Sequence, residues 1–81
     1  MTDHIKRRHE IMSIPEAQER ADIIDRCALC ARDKQFLKMV YVDRISVAAA
    51  GDALGIYGRS ATRHLRDGTL AMWLVLHHMR M

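Results

Sequence analysis

Arg59, Thr62, Arg63 and Arg66 are the residues of this chain with the clearest chemical purpose. At separations of three and four they share one side of a helix, where one arginine can donate two hydrogen bonds to a guanine edge while another grips a phosphate. Threonine and serine hydroxyls can reach a phosphate oxygen, and a threonine methyl can meet the methyl of thymine. Asp67 is the only acid between Arg59 and the end of the sequence, so a charge-balanced surface helix is a poor account of this face. The expectation is contact with double-stranded DNA.

The other residue types that could do chemistry lack the spacing for it. Cys27 and Cys30 form one CxxC, and a structural zinc needs two more ligands. His4, His9, His64, His77 and His78 stand at no zinc-finger distance from the pair. A redox CxxC follows a strand, whereas this pair lies in or at the end of a helix-patterned stretch, so reduced packing cysteines are expected. Ser60 and His64 are four apart and can bring a hydroxyl near an imidazole, yet no acid is spaced along the helix to orient the ring, and His64 is expected to be exposed or to face a phosphate. His77 and His78 are adjacent, about 100° apart around a helix, and cannot hold a metal together. Asp22, Asp25 and Asp33 have no metal-loop spacing, and no glycine-rich phosphate loop is present. Neither a catalytic centre nor a metal nor a cofactor is expected.

The arginines need an element to hold them, and residues 46–65, SVAAAGDALGIYGRSATRHL, specify one. Val47, Ala50 and Leu54 form the buried stripe of a short helix with Ser46 as its cap. Gly51 is the small residue that lets two helix backbones approach at a wide angle. Gly55 follows Leu54, where a helix ends in a left-handed residue. Ile56 plugs the turn, and Ala61 and Leu65 bury a second helix over 57–67, leaving Arg59, Thr62, Arg63 and Arg66 outside. The pattern is that of a helix-turn-helix.

The remaining sequence reads as helix throughout. Ser13 and Glu16 have capping-box spacing, with Pro15 in the first turn, and Ile14, Ala17, Ala21, Ile24 and Ala28 continue as one stripe over 14–30. Asp33 is placed to cap a helix carrying Phe36, Leu37, Val40 and Tyr41 that ends near Asp43. Residues 1–12 lack a continuous apolar stripe and are expected to form a flexible arm, with 13–81 as the helical domain; the arm's basic residues could lie along DNA. The final stretch, 69–81, is apolar nearly all round: Leu70, Trp73, Leu74 and His77 on one side, Met72, Val75, Leu76 and Met79 on the other. A small domain cannot easily bury both, so the stretch is either a terminal helix wrapped into the core with a few apolar side chains left exposed, or a surface on which Met72, Trp73, Val75, Leu76 and Met79 are candidates for a partner or homodimer interface. A dimer would also set two reading helices one duplex turn apart.

With 81 residues the chain makes one small, all-α, four- to five-helix domain. Thirteen Lys and Arg against ten Asp and Glu give a net charge of +3 and an isoelectric point near 9.2, compatible with a nucleic-acid partner. The charged start and the shortness of the longest apolar run, Leu70–Leu76, argue against a secretory signal or a membrane span, so a cytoplasmic protein is expected.

Residues 21–74, ADIIDRCALCARDKQFLKMVYVDRISVAAAGDALGIYGRSATRHLRDGTLAMWL, resemble the antitermination Q proteins of lambdoid-type phages and the related ArpU-like phage regulators, whose helix-turn-helix is similar to region four of bacterial sigma factors. The matching residues are Ile23, Ile24 and Asp25, then Tyr41, Val42 and Ser46, then Leu54, Gly55 and Ile56, and finally Gly68 and Leu70. The resemblance implies a phage or prophage transcription regulator, working in a bacterial host cell, that binds DNA near a promoter and contacts host RNA polymerase. It implies Tyr57, Arg59, Ser60, Thr62, Arg63 and Arg66 as DNA-contacting residues, with Arg44 and Ser46 on phosphates. The chain departs from the pattern in carrying alanine at positions 50 and 61, where a branched side chain is usual, and Tyr57 in place of a capping serine. A competing expectation is a small phage-type protein that binds and inhibits or redirects a host protein through its apolar final helix.

Overall fold

The computed structural model describes residues 3–79 and shows an all-α domain. Its helices are α1 (Asp3–Met12), α2 (Ala17–Arg26), α3 (Ala31–Tyr41), α4 (Val47–Leu54) and α5 (Gly58–Met79), and the described residues contain no strand. The long α5 is the spine. All four other helices pack against it, and α3 also touches α2 and α4. Ile11, Ile23, Ile24, Phe36, Leu37, Tyr41 and Met72 fill the centre, one or more from every helix except α4, which adds Ala50.

The first residues are not a frayed arm over the part described. Asp3–Met12 is helical because Ile11 is fully buried, supported by Ile14 just after the helix. A short apolar anchor is enough when the partner helix lies far away in sequence. Glu10 adds a polar tie, its Oε2 accepting a hydrogen bond from Trp73 Nε1 at 2.8 Å and lying 2.9 Å from His77 Nε2. The capping box does not form either. Ser13 Oγ donates to His9 O at 2.7 Å and so closes α1, while Glu16 is extended and α2 starts at Ala17.

The helix expected over 14–30 is therefore only Ala17–Arg26. Cys27 and Cys30 stand in extended conformation at either end of the short link to α3, Cys27 buried and Cys30 exposed, both as free thiols. Burial pushes the Cys27 thiol above its ordinary pKa, which keeps it protonated and unreactive. Arg20 is the one buried cation among the described residues, 2 % exposed. Its guanidinium donates to Tyr41 O at 2.7 Å and to Ile14 O, so the end of α3 and the α1–α2 link are tied by one side chain. The carbonyls at the C-terminal end of a helix carry partial negative charge, which suits a cation there.

The two final helices read from the sequence are one. Gly68 does not break α5, because a Cβ there would lie 2.7 Å from a Leu37 methyl carbon: the glycine is where α3 and α5 come closest. At the next residue of α5, and one turn on from Leu37 in α3, Thr69 Oγ1 and the Tyr41 hydroxyl share a buried hydrogen bond of 2.6 Å.

Candidate nucleic-acid interface

The link from α4 to α5 is built as the residue types require. Ser46 Oγ accepts from Ala49 N at 3.2 Å and caps α4. At the other end Gly55 has φ 73°, the left-handed conformation a glycine adopts at least cost. Its placement lets Ile56 N donate to Gly51 O at 2.8 Å and drives Ile56 into the core. Gly51 is confined more tightly still, since a Cβ there would fall 2.2 Å from Ile56 O. The short α4 and the long α5 thus leave the turn in one fixed direction.

That direction decides what the first half of α5 shows to solvent. Ala61 and Leu65 are buried, as expected, and Tyr57, Arg59, Ser60, Thr62, Arg63 and Arg66 are all exposed, Tyr57 at 64 %. Among the described residues no acid pairs with Arg59, Arg63 or Arg66, and none with Arg44. The four guanidinium groups therefore keep their donors for an external acceptor.

Arg44 and Ser46 lie exposed at the start of α4, on the link from α3. Arg44 has φ 58°, the one non-glycine with a positive φ among the described residues. That conformation allows Ile45 N to donate back to Met39 O at 2.9 Å and end α3. An arginine held there is about 1 kcal/mol less favourable than a glycine.

His64 differs from its expected exposed state. It is half-buried, and its Nδ1 lies 3.2 Å from Asp33 Oδ1, an oxygen shielded from solvent and without a well-aligned hydrogen bond. Asp33 sits in the first turn of α3, behind an N-cap at Cys30, so it lies beside this histidine and does not cap the helix. The acid that spacing along α5 could not supply comes from a neighbouring helix, 31 positions earlier in the sequence. No hydrogen bond joins Ser60 to His64 among the described residues, and no group of three or more potential metal ligands occurs there.

The second half of α5 divides the expected partner surface. Met72 and Leu76 are buried in the chain's own core and are not available to a partner. Trp73 is half-buried against α1, 4.1 Å from the His77 ring, with the Arg7 guanidinium 5.3 Å above it. Val75 is partly covered, and only Met79 of the five is exposed. Leu70 and Leu74, which spacing placed on the other side, are exposed as well.

Electrostatically the cations of α1 join those of α5. Partial burial and the nearby Arg66, Arg8 and Arg7 guanidinium groups hold the His4 imidazole below its ordinary pKa. No described helix is long and apolar enough to cross a membrane. No family model, no curated protein and no solved structure matches this chain.

Proposed function

We propose that this protein binds double-stranded DNA by laying the first half of α5 in the major groove. The observation that carries the reading is the exposed row Arg59, Arg63 and Arg66, without ion pairs among the described residues, on a helix whose direction is set by the Gly51–Ile56 turn. Arginines placed in this way read guanine edges and grip phosphates, and Tyr57, Ser60 and Thr62 border them. Arg44 and Ser46, at the start of α4, are placed for the flanking backbone.

In this reading α4 and α5 are a helix-turn-helix, and the protein is a cytoplasmic regulator of transcription. The resemblance to phage antitermination regulators extends it to contact with host RNA polymerase, and a homodimer would read a two-fold site. A second reading, capture of a host protein, is favoured by the exposed Leu70, Leu74 and Met79 of α5.

Binding to random-sequence and phage-promoter duplexes across a salt series separates the two. Salt-sensitive binding that weakens in Arg59→Ala and Arg63→Ala supports DNA recognition. If the wild-type chain binds no duplex at low salt, the DNA reading fails and the exposed apolar residues of α5 become the surface to test.

A further inference from the structure

The amino-terminal helix carries a feature that the reading of α5 does not use. Arg7 and Arg8 lie half-buried on the inner side of α1, close to Ile11, where apolar residues would be the simpler choice. Arg7 stacks over Trp73 of α5 at 5.3 Å and Arg8 over Tyr41 of α3 at 5.8 Å. Neither has an acidic partner among the described residues. Stacking fixes the plane of a guanidinium and leaves the N–H groups at its edge free for a phosphate.

The contacts between the helices give their relative direction. Glu10 meets Trp73 and His77, Arg7 meets Trp73, and His4 lies within electrostatic reach of Arg66. The two helices descend together, so the first turn of α1 comes beside the stretch of α5 that exposes Arg66. The charged groups facing His4 are Arg7 and Arg8 from α1 and Arg66 from α5, with Asp3 next to it in sequence and the Tyr41 ring of α3 beneath Arg8. Like charges gathered in this way repel one another unless an anion joins them.

We propose that His4, Arg7, Arg8 and Arg66 form a phosphate-binding cluster through which α1 holds the backbone of a duplex seated on the first half of α5. The inference rests on the DNA reading above and adds a second contact region to it. The phosphate lies at the solvent edge of the seam between α1 and α5, accepts hydrogen bonds from the guanidinium edges and relieves their repulsion. It also favours the protonated form of His4, so the imidazole takes up a proton as the duplex binds.

The test measures duplex affinity from low to moderate salt for the wild-type chain, Arg7→Gln, Arg7→Lys and Arg59→Ala, and follows the His4 ring by NMR during pH titration with and without duplex. Each phosphate contact contributes about 0.9 to the slope of log affinity against log salt. Arg7→Gln is expected to reduce the slope by about that amount, and Arg7→Lys, which keeps the charge but not the stacking, to restore most of it. The His4 titration is expected to move to higher pH when duplex is added. If Arg59→Ala weakens binding while Arg7→Gln leaves the slope unchanged and His4 titrates as before, the cluster is not part of the interface and the DNA reading survives without it. If inorganic phosphate moves the His4 titration and duplex does not, the cluster is a site for the free anion and the inference is overturned. Absence of any duplex binding overturns both.

Discussion

The two halves of α5 belong to one continuous helix and have opposite surroundings. In the second half, Gly68, Thr69, Met72 and Leu76 are buried, and even polar groups are engaged: Thr69 with Tyr41, Trp73 and His77 with Glu10. In the first half only Ala61 and Leu65 are buried, and most charged side chains point to solvent without partners among the described residues. The difference teaches how a chain of 81 residues can afford an exposed basic surface. Its most densely packed region lies on the same rigid element, one or two turns away, so the surface is positioned without needing a core of its own.

The sharpest way to break the contrast is to substitute the glycine on which each half depends. At Gly51 the obstacle to a Cβ is a backbone carbonyl, Ile56 O at 2.2 Å, which cannot move without undoing the turn. At Gly68 the obstacle is the end of the Leu37 side chain, which can change rotamer. Gly51→Ala is expected to destabilise the domain by about 3 kcal/mol, and Gly68→Ala by about 1 kcal/mol, part of it offset by the better helix propensity of alanine. Urea unfolding of both variants checks the order. Equal losses would mean that the turn before α5 yields as easily as a core side chain.

Arg63→Ala tests the division from the functional side. It is expected to lower duplex affinity about tenfold and to change stability by less than about 0.5 kcal/mol, as for an exposed residue with no ion pair among the described residues. A fall in melting temperature of several degrees would show that the first half of α5 is held by its arginines and not merely decorated by them.

Tyr41→Phe is the converse case. It removes the buried bond to Thr69 and leaves the hydroxyl of Thr69 without its partner, for an expected loss of about 1–2 kcal/mol. Duplex affinity measured well below the melting temperature should stay within twofold of wild type. A larger loss of affinity would mean that the packed half of α5 transmits its geometry to the exposed half.

How far the fold was legible in the sequence follows the same contrast. Within residues 46–65 the cap at Ser46, the left-handed glycine at 55 and the small residues at 50, 51 and 61 could be read, because they act through neighbours a few positions away, whereas the full length of α5, the partial burial of Val47 and Leu54 and the place of His64 could not. Ser13 and Glu16 misled for the complementary reason. A capping box competes with other local bonds, and Ser13 closes the preceding helix instead. The residues that escaped notice are those whose partners lie far along the chain: Ile11 and Glu10 against α5, Asp33 against His64, Gly68 against Leu37, Arg20 against Tyr41. Gly68 is the local trace of one such close approach, and the sequence places it between two helices instead of within one. The apolar final stretch leaves core packing and a free interface equally open in the sequence for the same reason, since nothing near Met72 or Leu76 announces the distant helices that cover them.

The smallest expected effect concerns His4, at the place where the cations of α1 meet those of α5. Its pKa is held below the ordinary histidine value in the folded chain by partial burial and by Arg66, Arg8 and Arg7. Above the ordinary value the imidazole is neutral in both folded and unfolded chains, and its contribution to stability is complete. As the pH falls through that value the unfolded chain takes up a proton that the folded chain resists, so stability is lost on acidification. His4→Gln cannot take up the proton. The stability difference between wild type and His4→Gln should therefore move against the wild type between pH 7.5 and pH 5.5, in thermal melts at fixed ionic strength. Identical pH profiles would mean that the three arginines do not bear on His4, and the basic surface would then stop at α5 instead of crossing to the first helix. Added salt offers a finer control, because it screens the repulsion from the arginines and leaves the burial of the ring unchanged. A pH-dependent gap that narrows with salt assigns the shift to the arginines, and one that does not assigns it to burial.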